Sequence, residues 1–272
     1  SLMKTPLPNQ PIRQLTRFES CDSTNRLLLD AAEAGISAGA VFVAREQTAG
    51  RGRRGRHWIA APGDSLTFSL LWTFAADPAK LSGLSLVVGL AVVQALSAAA
   101  LGTRRSQTRA GLKWPNDILV ARADGSFAKA GGVLIESAMR PAAAGGKELA
   151  VVIGIGLNCA ESTSVNAGVA DQSVATLSEL FERDLTPEIL LPVLLDALFE
   201  TLDTFARVGF AGFRAAWNTQ NLWQDQFVQV KEGATVLHEG ICRGVDDAGA
   251  LCIETVDGMT HIVSGDVSLR KV

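Results

Sequence analysis

The chain has little of what marks a metalloprotein, a secreted protein or a nucleic-acid binder. Its four cysteines, Cys21, Cys159, Cys242 and Cys252, form no CxxC and no Cys/His ligand spacing. They read as reduced, mostly buried thiols of a cytoplasmic protein, with no metal site expected. His238 and His261 read as strand or surface residues rather than catalytic ones. The net charge is −3 and only one basic cluster occurs, which argues against nucleic acid as a partner. Charged residues make up 19% against 47% hydrophobic, with a mean hydropathy of +0.21. This excludes disorder and leaves ample material for a core. Ser1-Leu2 ahead of Met3 reads as a tag remnant, and the Pro- and Gln-rich stretch that follows has no signal-peptide apolar core. No charge falls between Leu81 and Thr103, but Ser82, Gly83, Ser85, Gly89, Gln94 and Ser97 interrupt the run. A buried core helix over 81–101 is therefore expected, and no membrane span.

What the chain does have is one unusual loop, Gln47-Thr48-Ala49-Gly50-Arg51-Gly52-Arg53-Arg54-Gly55-Arg56-His57-Trp58. Its glycines let the backbone approach a ligand, and its arginines offer planar donor forks to carboxylate and phosphate oxygens. Gly50-x-Gly52-x-x-Gly55 formally matches the dinucleotide fingerprint and follows an expected strand at Val41–Ala44. That fingerprint must open a helix, and Pro62-Gly63 comes too soon for one. An arginine-rich RNA segment lacks a second basic patch, and a plain solvated turn is the bland alternative. A loop that wraps a small anionic molecule is favoured. Four like charges on a glycine-rich backbone also predict a mobile loop in the absence of ligand.

Before the loop, Ser23 or Thr24 caps a helix that stops at Gly35. Capping alone explains these residues, and so does a helix start facing a polar ligand. After the loop, Leu66–Trp72 alternates as a strand with one buried face. Gly111–Val120 carries Lys113, Asn116 and Asp117 around a Trp114-Pro115 break, which projects polar groups from a fixed backbone or makes an ordinary Asn-Asp turn. Lys129 precedes the Gly131-Gly132 pair and an apolar strand reaching Glu136. Leu149–Gly156 is a strand whose closing glycines, up to Asn158, signal close approach of a ligand or tight packing. Helices are expected at Ser178–Phe181, Thr186–Phe205 and Phe210–Trp217. From about Asp225 the pattern turns to short strands, Phe227–Lys231, Ala234–Leu237, Ile241–Val245, Leu251–Thr255 and His261–Ser264. At 272 residues this gives a large domain over 1–224, which carries the arginine loop, and a small β domain over 225–272.

Gly50–Trp58, Lys113–Asp117 (KWPND), Gly131–Glu136 (GGVLIE) and Gly154–Asn158 (GIGLN), in that order, resemble the motifs of biotin protein ligases. Ala130 departs from the family's common leucine. The resemblance implies an α/β fold with a mixed central sheet, helices on one face and a small SH3-like β-barrel at the end. It implies that ATP, with Mg2+ bridging its phosphates, activates biotin as biotinyl-5′-AMP, and that a lysine of a biotin carboxyl carrier protein then receives the biotin. By the same resemblance Ser23, Thr24, Asn25, Gln47, Arg51, Gly52, Arg53 and Lys129 surround biotin. Arg51, Arg53, Trp58, Asn116, Asp117 and Asn158 meet ATP. Arg53, Lys129 and Lys113 act in catalysis. The motifs begin too early for the helix-turn-helix domain of larger relatives, so a monofunctional enzyme, monomer or homodimer, is expected. A lipoate ligase or octanoyltransferase, and a non-catalytic biotin or nucleotide sensor, are the rival readings.

Overall fold

The structure, a computed structural model, describes residues 10–161 and 173–269; the tag reading of Ser1-Leu2 lies outside them. A seven-stranded sheet has the order β1-β2-β3-β7-β6-β5-β4, built from β1 (Gln14–Cys21), β2 (Ala40–Gln47), β3 (Ser65–Ala75), β4 (Arg109–Lys113), β5 (Asp117–Ala121), β6 (Phe127–Pro141) and β7 (Lys147–Asn158). Only β1 and β2 run parallel; the other neighbours are antiparallel. The parallel pair requires a crossover, and α1 (Thr24–Glu33) supplies it.

Strands β2, β3 and β7 are buried on both faces over most of their length, so both faces need a cover. Val41, Val43, Leu66, Phe68, Leu70, Trp72, Val151 and Ile153 pack in one core with α2 (Leu84–Ala95) and α3 (Pro187–Val208). Phe199 and Phe205 of α3 meet Trp72 and Phe74 edge-on at centroid distances of 5.3 and 6.0 Å. The alternate residues Ala40, Phe42, Leu71, Ala150 and Val152 pack on Leu28 and Ala32 of α1. The expectation of helices on one face holds for α2 and α3 only; α1 covers the other face, because it is the crossover of the parallel β1–β2 pair.

The apolar stretch 81–101 is shorter as a helix than its composition suggests. A 3-10 turn at Pro78–Leu81 precedes it, Gly83 caps α2 at φ +80°, and a second 3-10 turn follows at Ala99–Leu101. Ten of the twelve residues of α2 are buried. The segment Pro78–Ala95 is long and apolar enough to cross a membrane by composition alone, but α2 lies within the core. Thr186 caps α3 as expected, its hydroxyl accepting from the Ile189 amide at 3.4 Å with Pro187 in the first turn. Two expected helices are smaller: Leu177–Leu180 is a 3-10 turn, and Ala211–Phe213 is another that leads into α4 (Arg214–Gln220).

The chain ends in a five-stranded antiparallel sheet of order β11-β10-β9-β8-β12, an SH3-like domain made of β8 (Phe227–Glu232), β9 (Thr235–Val245), β10 (Leu251–Thr255), β11 (Gly258–Ile262) and β12 (Asp266–Leu269). The expected strands at 234–237 and 241–245 are one strand, because Gly240 lets β9 press on β10 where a side chain would meet the Glu254 carbonyl. β11 starts at Gly258, and β12 was not anticipated. Val228, Val230, Val245, Leu251 and Ile253 belong to the same core as α2. The Trp114 indole donates to the Gly249 carbonyl at 3.0 Å, and Ser82 donates to the Ala248 carbonyl at 2.6 Å. The two sheets are therefore welded together.

Candidate active site

On the face covered by α1, beyond that helix's N-terminus, β3, β6 and β7 floor a cleft of about 600 Å³. One end is neutral and rich in hydrogen bonds. Ser23 caps α1, accepting from the Arg26 amide, which turns Thr24 and Asn25 inward, where both are buried. Ser69 of β3 donates to Asn25 Oδ1 at 2.5 Å and lies 2.7 Å from Thr24 Oγ1. Gln47 Oε1 accepts from the Thr24 amide at 2.8 Å. Asn25 Nδ2 donates to Glu136 Oε1 at 3.1 Å, and Arg51 donates to Glu136 Oε2 at 3.1 Å. The floor must be small for this network to fit. A Cβ at Gly154 would collide with the Asn25 amide, and one at Gly156 with the Trp58 ring. At these two glycines the close neighbours are the protein's own Asn25 and Trp58 side chains, so tight packing against the strand accounts for them.

The other end is cationic. Lys129 Nζ lies 3.0 Å from Asp117 Oδ1, and Lys113 Nζ 3.6 Å from Asp117 Oδ2. A bulge in the β5–β6 ladder decides where Lys129 points: Ile118 pairs with Gly131, but the next residue, Leu119, pairs with Lys129. Ala128, Ala130 and Val133 all reach the core, although strict alternation would put Val133 opposite the other two. The extra residue turns Lys129 from the core face to the cleft face. The compact Ala130, fully buried here, fills the core position beside it.

The arginine loop closes the cleft between these ends. It is a narrow turn, with the Arg51 and His57 backbones bridged and Gly52 N bonded to Arg56 O at 2.7 Å. Its four arginines each find an acceptor: Arg51 on Glu136, Arg53 on Asn116 Oδ1 at 3.2 Å, and Arg54 and Arg56 on Asp266 of β12 at 3.5 and 2.9 Å. Three of the four like charges that predict a mobile loop thus have a carboxylate partner, Glu136 for Arg51 and Asp266 of the second domain for Arg54 and Arg56, while Arg53 rests on a neutral amide. Burial pushes the Arg53 guanidinium below its ordinary value; Arg54 and Arg56 act the same way, while Asp266 and Asp117 oppose the shift.

Every residue named from the sequence, Ser23, Thr24, Asn25, Gln47, Arg51, Gly52, Arg53, Trp58, Lys113, Asn116, Asp117, Lys129 and Asn158, lines this one cleft. Two buried polar atoms in it have no hydrogen-bond partner, Trp58 Nε1 and Asn158 Oδ1. Such atoms are costly unless a ligand or water meets them. Asn116 differs, because both ends of its amide are engaged, by Arg53 and by the Val133 carbonyl at 2.7 Å. It steadies the loop. Sequence reasoning missed Ser69, Glu136 and Asp266. A serine at an inward position of an apolar strand was a signal for Ser69, and Glu136 closes a motif already noted. Nothing local marks Asp266.

A polar pocket joined to a cationic one under an arginine loop suits a molecule with a neutral head and an anionic tail, and the comparisons with known proteins agree. The chain belongs to the biotin/lipoate A/B protein ligase family, whose profile matches residues 17–158. Within it, residues 225–270 match the biotin protein ligase C terminal domain. The chain is 33% identical to the Biotin--acetyl-CoA-carboxylase ligase of Paracoccus denitrificans, over 90% of this chain and 96% of that protein. It is 32% identical to the Bifunctional ligase/repressor BirA of Escherichia coli, over 92% of this chain and 72% of that one. Its fold matches the biotin protein ligase from Aquifex aeolicus in complex with biotin and ATP, with a TM-score of 0.71 and 28% identity, covering 96% of this chain and 100% of that one.

Proposed function

We propose that this chain, through a catalytic domain over 1–224 and a closing domain over 225–272, uses ATP to activate biotin as biotinyl-5′-AMP and passes the biotinyl group to a lysine of a carboxylase's biotin carboxyl carrier protein. The single observation that carries the reading is the junction in the cleft. Asn25, Thr24 and Gln47 line the neutral end, held there in part by the buried Ser69, and offer a ureido-sized ring donors and acceptors, while Lys129, Lys113 and the loop arginines line the end where a carboxylate would meet a triphosphate.

A biotin carboxylate oxygen attacks the α-phosphorus of ATP, the bond to the β-phosphate oxygen breaks, and pyrophosphate leaves. The carrier lysine, as the free amine, then attacks the acyl carbon; AMP departs and the amine's proton passes to solvent. Positioning and charge supply most of the acceleration. Lys129 gives up Asp117 to the developing negative charge, and Lys113 can retain that carboxylate in its place. Arg51 and Arg53 hold the two anions together, and Trp58 and Asn158 meet the nucleotide with their unpaired atoms. The cleft's carboxylates, Asp117 and Asp266, are both engaged by cations. Mg2+ therefore suits the phosphates of ATP, not a protein cage. Glu136 and Asn116 act by holding Asn25, Arg51 and Arg53 in place.

Pyrophosphate exchange into ATP, measured with biotin or lipoate as the only acid, tests this. Exchange with biotin and not lipoate is expected. Equal exchange would favour the lipoate reading, and none with either a non-catalytic sensor.

A further inference from the structure

A second cluster of reactive groups lies in the SH3-like domain, away from the cleft. Cys252 and His261 show no ligand spacing in the sequence, but the β10–β11 register sets them directly opposite each other. Opposed residues of an antiparallel pair project from the same face of the sheet. Asp246, just beyond β9, enters from the neighbouring strand. Three kinds of donor atom then converge: His261 Nδ1 is 2.8 Å from Asp246 Oδ2 and 3.7 Å from Cys252 Sγ. All three lie within 4.8 Å of one another. Metal bonds of about 2.0–2.3 Å to N, O and S set tetrahedral ligand edges of roughly 3.3–3.8 Å, so small side-chain adjustments bring the three into one shell.

Two features go beyond an ordinary Asp–His pair. The carboxylate is already oriented, because Asp246 Oδ1 accepts from the Ala248 and Ala250 amides at 2.9 and 3.0 Å, leaving Oδ2 for another partner. The Cys252 sulfur is aimed at the same imidazole nitrogen, with only a distant carbonyl, Ala250 O at 3.8 Å, as an alternative. Access is graded as well. Cys252 is 6% exposed, whereas the His261 side chain is 53% exposed, which leaves one side open for entry and for a water ligand.

We propose that Asp246, Cys252 and His261 form a binding site for one borderline divalent metal ion of the zinc class, completed by water. A thiolate and an imidazole select such ions over Mg2+ or Ca2+. As the sulfur–metal bond forms, the thiol proton passes to solvent. The ion ties the end of β9 to β10 and β11, and it pins the turn from Asp246 to Gly249. That turn accepts the Trp114 indole and the Ser82 hydroxyl, so the ion stiffens the joint between the two sheets. This proposal is independent of the ligase reading.

The test uses the full chain stripped with a chelator, then titrated with Zn2+ by calorimetry and with Co2+ by absorption. We expect one tight ion, a thiolate-to-cobalt charge-transfer band, and a melting temperature that rises with Zn2+. Cys252→Ser should remove the band, and Cys252→Ser and His261→Asn should each weaken binding by at least about tenfold. His261 is on the surface, so its variant tests the site even if Cys252→Ser misfolds. No binding, equal affinity in wild type and His261→Asn, or a Co2+ complex without the thiolate band would each overturn the proposal.

Discussion

Replacing Asp266 by alanine isolates what the second domain contributes to the cleft. Asp266 accepts from Arg54 and Arg56 across the gap between the domains, and all three side chains are partly solvent-exposed. Exposed pairs are worth about 0.2–1 kcal/mol each, so the two together contribute on the order of 1 kcal/mol. Spent on holding the loop closed, that corresponds to roughly a fivefold change in the population of its open form. The amides to watch are Gly52, bonded to Arg56 O, and Trp58, bonded to Gly50 O at 2.9 Å. In the unliganded full chain, Asp266→Ala should raise their hydrogen-exchange rates about fivefold, while amides of the β10–β11 ladder stay unchanged. The melting temperature should fall by only a few degrees. If Gly52 and Trp58 exchange at wild-type rates, Asp266 does not hold the loop, and its pairing with the arginines is incidental.

Other outcomes follow from the same geometry. Lys129→Ala should lower kcat for adenylate formation by on the order of a hundredfold or more with little change in biotin affinity; a raised KM for biotin at unchanged kcat would contradict its role. Arg53→Gly should still form the adenylate but release it early, weakening retention by about 10- to 100-fold, so that albumin added as a bystander becomes biotinylated; no bystander labelling at a comparable rate of adenylate formation would remove Arg53 as the clamp. Ser69→Ala leaves Asn25 and Thr24 short of a buried partner, costing about 1–3 kcal/mol, and calorimetry should show both a lower melting temperature and weaker biotin binding. Burial pushes the Cys159 thiol up to about 12, so alkylating reagent at pH 8 should leave it unmodified in the folded protein; its rapid labelling would show that β7 opens.

The fold was legible wherever one local rule governs. The Ser23 cap, the Gly35 stop at φ +99° and the Thr186-Pro187 start stand where the sequence put them. It was less legible where tertiary contact overrides pattern. The uncharged run around α2 hides the αL turn at Gly83, which packs against Phe210, and β9 runs straight through an expected break because Gly240 fits beneath β10. The site divides in the same way. Loop, lysines and amides were readable from composition and motif. The bulge that re-aims Lys129, the carboxylate of Glu136 that joins Asn25 to Arg51, and the reach of Asp266 from β12 depend on register and domain packing, which no window of sequence contains. Because the core is shared, removing residues 225–272 would strip Val230, Val245 and Ile253 from it, so loss of folding should accompany loss of activity.

One cleft that makes, keeps and then hands on an acyl adenylate must hold that intermediate between the two half-reactions. The most direct measurement is a single turnover followed by quench and mass spectrometry. The full chain is mixed with biotin, ATP and Mg2+, passed through a desalting column, and only then given a carrier domain. The account predicts biotinyl-5′-AMP travelling with the protein at close to one per chain, followed by loss of the adenylate matched by biotin on a single carrier lysine. A protein fraction that carries biotin and ATP but no adenylate, or an adenylate that the carrier does not consume, would contradict it.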